Sequence, residues 1–163
     1  MTEKRIKRDS GAVFINMGTT DARNWARVGR GIASLQLSLN PATEDIQDID
    51  MQTATTVANG VSPQMSLTPT VVVGNAVNDY LRSVCDEQKL SEQKEIMFVD
   101  TFVEPVSGAF PARVALFNLI PQSGTGGDAG SSLGYGIDLH QEGELIIGTA
   151  KLESGSWVFT ANP

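Results

Sequence analysis

The chain has 163 residues, enough to bury a substantial core without a metal or disulfide staple, so a single domain over 1–163 is expected. Twelve Lys and Arg against nineteen Asp and Glu give a net charge of -7, which excludes a general nucleic-acid binder held by clustered cations. One cysteine, Cys85, excludes an intramolecular disulfide or thiolate cluster, and no apolar run approaches the length of a membrane span.

Sixteen Gly, seven Pro and frequent Thr, Ser and Val, with one convincing helical pattern, predict a mostly β class. Residues 1–11 form an N-terminal arm that concentrates Lys4, Arg5, Lys7 and Arg8. Its charge and the lack of an apolar run after it do not read as a secretory leader, so folding in a cytoplasm is expected. A short apolar strand covers 11–18, and Trp25 reads as a core anchor ahead of alternating apolar and basic residues up to Gly31.

Residues 32–39 alternate, with Ala33, Leu35, Leu37 and Leu39 on one side and Ser34, Gln36 and Ser38 on the other, the period of a half-buried strand. A long inter-strand segment, 40–64, carries Glu44, Asp45, Asp48 and Asp50 and too little apolar content to bury itself, so it is expected to be mobile in the free subunit. A return strand spans 65–73, with Ser66 and Thr68 at its polar positions. No Lys or Arg occurs from 31 to 81, so any surface made here is neutral or negative.

At Asn75 the period lengthens. The spacing predicts a helix over 75–89, capped by Asn75, with Val77, Leu81, Val84 and Gln88 near one face and Tyr80 and Cys85 flanking it. Cys85 is then an inert core residue. After a charged connection at 89–95, strands are expected at 96–103 and at 113–120, the second ended by Pro121. Residues 122–132 read as a flexible Gly/Ser loop and lack the Gly-Lys-Ser/Thr of a phosphate loop. Three strands follow at 133–140, 144–152 and 156–160, joined by hairpins at 141–143 and 153–155. From 114 to 150 there is again no Lys or Arg.

The inventory for chemistry is thin. His140 is the one histidine, and with Glu142 and Glu144 beside it a surface imidazole outweighs a metal ligand. Asp45, Asp48 and Asp50 lack the glycine and closing glutamate of a calcium loop, and neither a Gly-x-Ser-x-Gly elbow nor a His-Glu-x-x-His motif is present. No catalysis, metal or cofactor is expected.

Phe14-Ile15-Asn16-Met17-Gly18, Trp25-Ala26-Arg27-Val28-Gly29, the 32–39 segment with Asn40-Pro41-Ala42-Thr43-Glu44, the long segment to Gly60-Val61-Ser62-Pro63, Gly74-Asn75-Ala76-Val77, Phe98-Val99-Asp100-Thr101, the strand at 112–120, Leu145-Ile146-Ile147-Gly148-Thr149-Ala150 and Trp157-Val158-Phe159-Thr160 together resemble the major tail tube protein of long-tailed bacteriophages. The resemblance covers nearly the whole chain and rests on the order of elements. It implies an antiparallel β-sandwich with one flanking α-helix and a long β-hairpin or loop, six copies closing into a ring with a shared inner β-barrel. It also implies stacked rings forming a conduit for DNA ejection in a virion tail assembled in the host cytoplasm, with a tape measure protein, a tail terminator and a distal tail protein as partners. On that reading Ser34, Gln36, Ser38, Ser66 and Thr68 face the lumen, where the absence of cations lets DNA slide. The acids Glu44, Asp45, Asp48 and Asp50 are expected to meet Lys4, Arg5, Lys7 and Arg8, or Arg23, Arg27 and Arg30, across copies. The competing class is a ligand- or glycan-binding β-sandwich with the Gly-rich loop as its tip.

Overall fold

Residues 11–50 and 52–163 are described by a computed structural model. In chain order these are β1 (Ala12–Asn16), β2 (Trp25–Val28), β3 (Pro41–Ile46), β4 (Thr55–Val61), β5 (Gln64–Leu67), α1 (Ala76–Asp86), β6 (Glu92–Val99), β7 (Ala109–Gly126), β8 (Gly134–Glu153) and β9 (Ser156–Ala161). One antiparallel sheet runs β2-β1-β6-β7-β8-β5 with β9 also on β8, and it curls nearly into a barrel. β3 and β4 form a separate two-stranded hairpin. The mostly β class with one helix therefore holds.

The sheet is built on β7 and β8, paired from Ala109↔Lys151 to Gly126↔Gly134. Between the pairs Val114↔Ile146 and Leu116↔Glu142 lies one residue on β7, Ala115, but three on β8: Gly143, Glu144 and Leu145. Two extra residues bend the strand without changing which side chains face which way, because strand side chains alternate with a period of two. Gly143, at φ 77°, supplies the conformation that the bulge needs. The hairpin expected at 141–143 is therefore a bulge inside one 20-residue strand. The same glycine signal serves a turn or a bulge, and only the partner strand decides between them. At 153–155 the expected hairpin is present, with Glu153 opposite Ser156 and both Ser154 and Gly155 at positive φ.

Other boundaries move for physical reasons. β7 continues through Pro121, opposite Ile137, as far as Gly126, so 122–126 are strand rather than loop. A register shift follows Pro121, which accommodates its missing N–H. Asp86 at the end of α1 then holds the extension, accepting hydrogen bonds from Thr125 N at 2.7 Å and Thr125 Oγ1 at 2.9 Å. β6 begins at Glu92, inside the expected connection, and ends at Val99, where Asp100 and Thr101 turn the chain. Residues 32–39 are not a strand. Leu35 and Leu37 pack on the core as the alternation requires, but Ile32 packs there too, Ala33 is exposed, Leu39 is 55% exposed, and Ser38 alone pairs, with Gln64. The return strand is short, ending at Leu67 ahead of Pro69.

Two apolar cores lie on opposite faces of the sheet. On one, α1 covers Val13, Ile15, Ile96, Phe117, Ile137 and Leu139. On the other, Ala12, Phe14, Met97, Val114 and Ala150 pack with Trp25, Trp157 and Phe159. All five residues of β1 are buried because its two faces serve the two cores. In α1, Asn75 caps as read, its Oδ1 accepting from Asn78 N at 3.0 Å. The helix stops at Glu87, and Gln88 adopts a positive φ of 54° and is exposed, so the 75–89 span is shortened and Gln88 leaves the core face.

The sequence gives no cue to Asn78, which is 1% exposed and joins the helix to two loops. Its Oδ1 accepts from Val72 N at 3.0 Å, its Nδ2 donates to Thr70 O at 2.9 Å, and its carbonyl accepts from Tyr135 Oη at 3.1 Å. Gly31, at φ 83°, passes close by; a Cβ there would lie 2.7 Å from Asn78 Nδ2. Replacing Asn78 with Ala leaves the partly buried Val72 N–H and Thr70 carbonyl without this partner. The expected loss is about 1–3 kcal/mol of unfolding free energy, measured by urea denaturation.

Candidate functional site

The face opposite α1 changes character along its length. Near β9 it is the second core. Beyond that it becomes polar, because the alternation that buries Phe117, Leu119, Ile137, Leu139, Met65 and Leu67 against the helix turns Asn118, Ile120, Asp138, His140, Gln64 and Ser66 the other way. One row of partners crosses the whole face: Gln93↔Asn118, Asn118↔His140, His140↔Gln64 and Gln64↔Ser38. A second row places Ile120, Asp138 and Ser66 side by side. Four strands, β6, β7, β8 and β5, thus make one wall.

Hydrogen bonds tie the wall across strands. Gln93 Nε2 donates to Asn118 Oδ1 at 2.7 Å and to Glu142 Oε2 at 2.9 Å, and Asn118 Nδ2 also donates to Glu142 Oε2. Among the described residues no Lys or Arg belongs to this face. Lys94 points to the helix side, its ammonium 5.3 Å from the Tyr80 ring centre. At the border Arg23 is committed to Glu95, with Nε donating to Oε2 at 2.9 Å and Nη2 to Oε1 at 2.8 Å, and Asn16 Nδ2 donates to the same carboxylate. The Arg23 hydrogen bond holds the Glu95 carboxyl below the usual range, with Asn16 adding to it against the opposing effect of burial.

The wall has two open flanks. β1 pairs with β6 only from Ile96 to Val99, so the outer edge of β6 from Glu92 to Glu95 carries no strand. At the other flank β5 is the last strand, touched among the described residues by Ser38 alone. Open edges of this kind invite pairing with another chain.

Of the lumen residues read from the sequence, Ser38 and Ser66 lie in the wall rows, while Thr68, just past β5, and Ser34 and Gln36, on the irregular 32–37 run, are exposed. Alternation within each strand, 118 and 120 against 117 and 119 on β7 and 138 and 140 against 137 and 139 on β8, puts Asn118, Asp138 and His140 on this face, and the lumen set read from the sequence left them out. Lys4, Arg5, Lys7 and Arg8 lie outside the described residues.

Glu44, Asp45, Asp48 and Asp50 all sit on the β3–β4 hairpin and its turn, where every strand residue is exposed. Glu44 accepts from Asn59 Nδ2 at 2.8 Å and Asp45 from Thr56 Oγ1 at 2.6 Å, so their partners are neutral. A free-standing two-stranded hairpin is marginal in water. The tip is apolar as well as acidic: Ile49 is fully exposed and Ile46 nearly half exposed.

Among the described residues no group of three His, Cys, Asp or Glu could hold a metal. Cys85 is buried with Sγ 3.3 Å from Gly136 O, and burial pushes its thiol up to about 11, which keeps it protonated.

No family model matches the sequence, and no curated protein matches it either. Solved structures do match in fold. A protein from the tail of the empty GTA particle, reconstructed with C6 symmetry, aligns with a TM-score of 0.61 at 11% identity over 88% of this chain and 98% of that one. A protein of the sixfold-symmetrised anti-feeding prophage baseplate aligns at 0.54 and 14% identity, over 90% and 97%. One from the sheath/tube terminator of the extracellular contractile injection system PVC aligns at 0.55 and 16%, over 90% and 99%. The fold is thus that of components of phage-like tails and injection machines.

Because Glu95 has a lowered pKa in the folded state, its stabilisation is complete above the ordinary value of 4.5 and is lost as pH falls through the lower folded value. Glu95→Gln is expected to lower the urea midpoint at neutral pH and to flatten the acid limb of midpoint against pH. Parallel curves for the two proteins would contradict the assignment.

Proposed function

We propose that this chain is a structural tail subunit that polymerises as stacked hexameric rings into a tube, with the wall of β6, β7, β8 and β5 turned inward to line a DNA conduit. The observation that carries the reading is a four-strand polar face that, among the described residues, is free of cations and has an open strand edge on each flank. Copies joined head to tail along those edges bury both in a heterologous contact, and such a contact forms a ring when its rotation closes. The sixfold symmetry of the GTA tail and the anti-feeding prophage baseplate supports six as the number.

The sign of the wall fits the cargo. Each Lys or Arg on a bore would contact a phosphate and hold the DNA, whereas Ser34, Gln36, Ser38, Ser66 and Thr68, with Asn118 and Asp138, offer no such anchor. The acids Glu44, Asp45, Asp48 and Asp50 project on the hairpin to meet cations of a neighbouring ring, where Lys4, Arg5, Lys7 and Arg8 are also available. The role is non-catalytic. A tape measure protein inside the tube and a terminator and distal tail protein at its ends are the partners such a subunit requires, in a virion tail built in the host cytoplasm.

Purified protein at high concentration is expected to give rings and tubes in negative stain, and a protein that stays monomeric at every concentration contradicts the reading. In those tubes a cysteine placed at Ser66 is expected to resist a polymer-bearing maleimide too bulky to enter the bore, and to react once the tubes are dissociated. Equal labelling before and after dissociation would turn the wall outward.

A further inference from the structure

The sequence holds one Asn-Gly pair, Asn59-Gly60, and it lies on β4. It coincides with the irregularity of the β3–β4 hairpin: Thr43 is opposite Ala58 and Ala42 opposite Gly60, so Asn59 is an extra residue with no partner on β3. Both residues are exposed. Gly60 has a φ of 149°, which a residue with a Cβ rarely adopts, and its surroundings are open, since a Cβ there would have nothing within 4 Å. Among the described residues the Asn59 side chain has one partner, Glu44, whose Oε2 accepts from Asn59 Nδ2 at 2.8 Å.

These features suit an intramolecular reaction. The amide carbon of an asparagine is open to attack by the backbone nitrogen of the next residue, and a glycine there leaves that nitrogen unshielded. The nitrogen has to swing onto the amide carbon, which a regular ladder prevents and an unpaired residue in a free-standing two-stranded hairpin permits. Each other asparagine lacks a condition. Asn40 and Asn162 precede prolines, which have no N–H to give up. Asn16 and Asn78 are buried, and the Oδ1 of Asn75 caps α1. Asn24 and Asn118 are followed by Trp25 and Leu119, whose side chains screen the nitrogen.

We infer that Asn59-Gly60 is a self-modification site. Gly60 N gives up its proton and bonds to Asn59 Cγ, the C–N bond of the side-chain amide breaks, and ammonia leaves as a succinimide ring closes. Water then opens the ring at either carbonyl, leaving aspartate or isoaspartate. No oxidant, reductant or cofactor takes part. Glu44 slows the first step, because its hydrogen bond fixes the amide in one rotamer and its charge opposes the anionic nitrogen. In the aspartate product a carboxylate faces Glu44 where an amide had donated, and isoaspartate lengthens the backbone of β4 by one atom at the bulge. Both products loosen the root of the hairpin, at Pro41↔Val61 and Ala42↔Gly60.

Trypsin releases the site within one fragment, 31–82, because no Lys or Arg lies between Arg30 and Arg82. In the folded full chain held in mildly alkaline buffer, that fragment is expected to gain about one mass unit at Asn59, at a rate within about tenfold of the urea-unfolded chain, since such a hairpin opens readily. An isoaspartate-specific methyltransferase is expected to label the same fragment. Asn59→Gln is expected to abolish both signals, and Glu44→Ala to speed them about threefold, the effect of one exposed charged hydrogen bond. Hydrogen exchange over 41–46 and 55–61 is expected to rise in Asn59→Asp, which carries the aspartate product. A folded chain that converts more slowly than that range, signals that persist in Asn59→Gln, a Glu44→Ala chain no faster than the wild type, or unchanged exchange in Asn59→Asp would overturn the proposal.

Discussion

Side-chain parity along two long strands is the constraint on which the rest depends. β7 and β8 span the whole molecule, and each must serve the helix-covered core, the aromatic core under β9 and the polar wall. A bulge of one extra residue midway would have exchanged buried and exposed faces beyond it, driving Phe117, Ile137 and Leu139 into water. The two extra residues at Gly143–Leu145 let β8 bend while Ala150 stays on the face of Asp138 and His140. The price of that bend is a stretch of β8, Leu145 to Ile147, that stays exposed between the part paired with β5 and the part paired with β9.

Much of this was legible from residues alone. The Asn75 cap and the Val77, Leu81 and Val84 stripe defined the helix, because a polar cap and a 3.6-residue period act locally. The long hairpin that the resemblance implies is β3–β4, and the 153–155 turn is a hairpin. What the sequence concealed depends on partners distant in the chain. Whether Gly143 makes a turn or a bulge depends on β7, thirty residues earlier in order of magnitude. Whether 32–39 makes a strand depends on an open sheet edge, and only Ser38 finds one. For the candidate site, Ser38 and Ser66 were readable from alternation, whereas Gln93, Asn118, His140 and Glu142 become one surface only through cross-strand register.

Charge then separates the molecule into regions with different roles. Among the described residues the wall and the hairpin lack cations, and Arg23 at the border of the wall is neutralised by a bidentate pairing with Glu95. Arg27 and Arg30, which have no acidic partner among the described residues, stand on the β2 side, away from the wall rows. On the proposed reading, this separation leaves the bore without phosphate anchors. Net charge alone would not produce that outcome; its placement does.

A reconstruction of the assembled protein that resolves individual strands tests the central claim most directly. The account predicts that the rows containing Ser38, Gln64, His140, Asn118 and Gln93, and Ser66, Asp138 and Ile120, line the bore, with α1 on the outside. A map with α1 facing the bore, or with arginine and lysine side chains ringing it, would contradict the account.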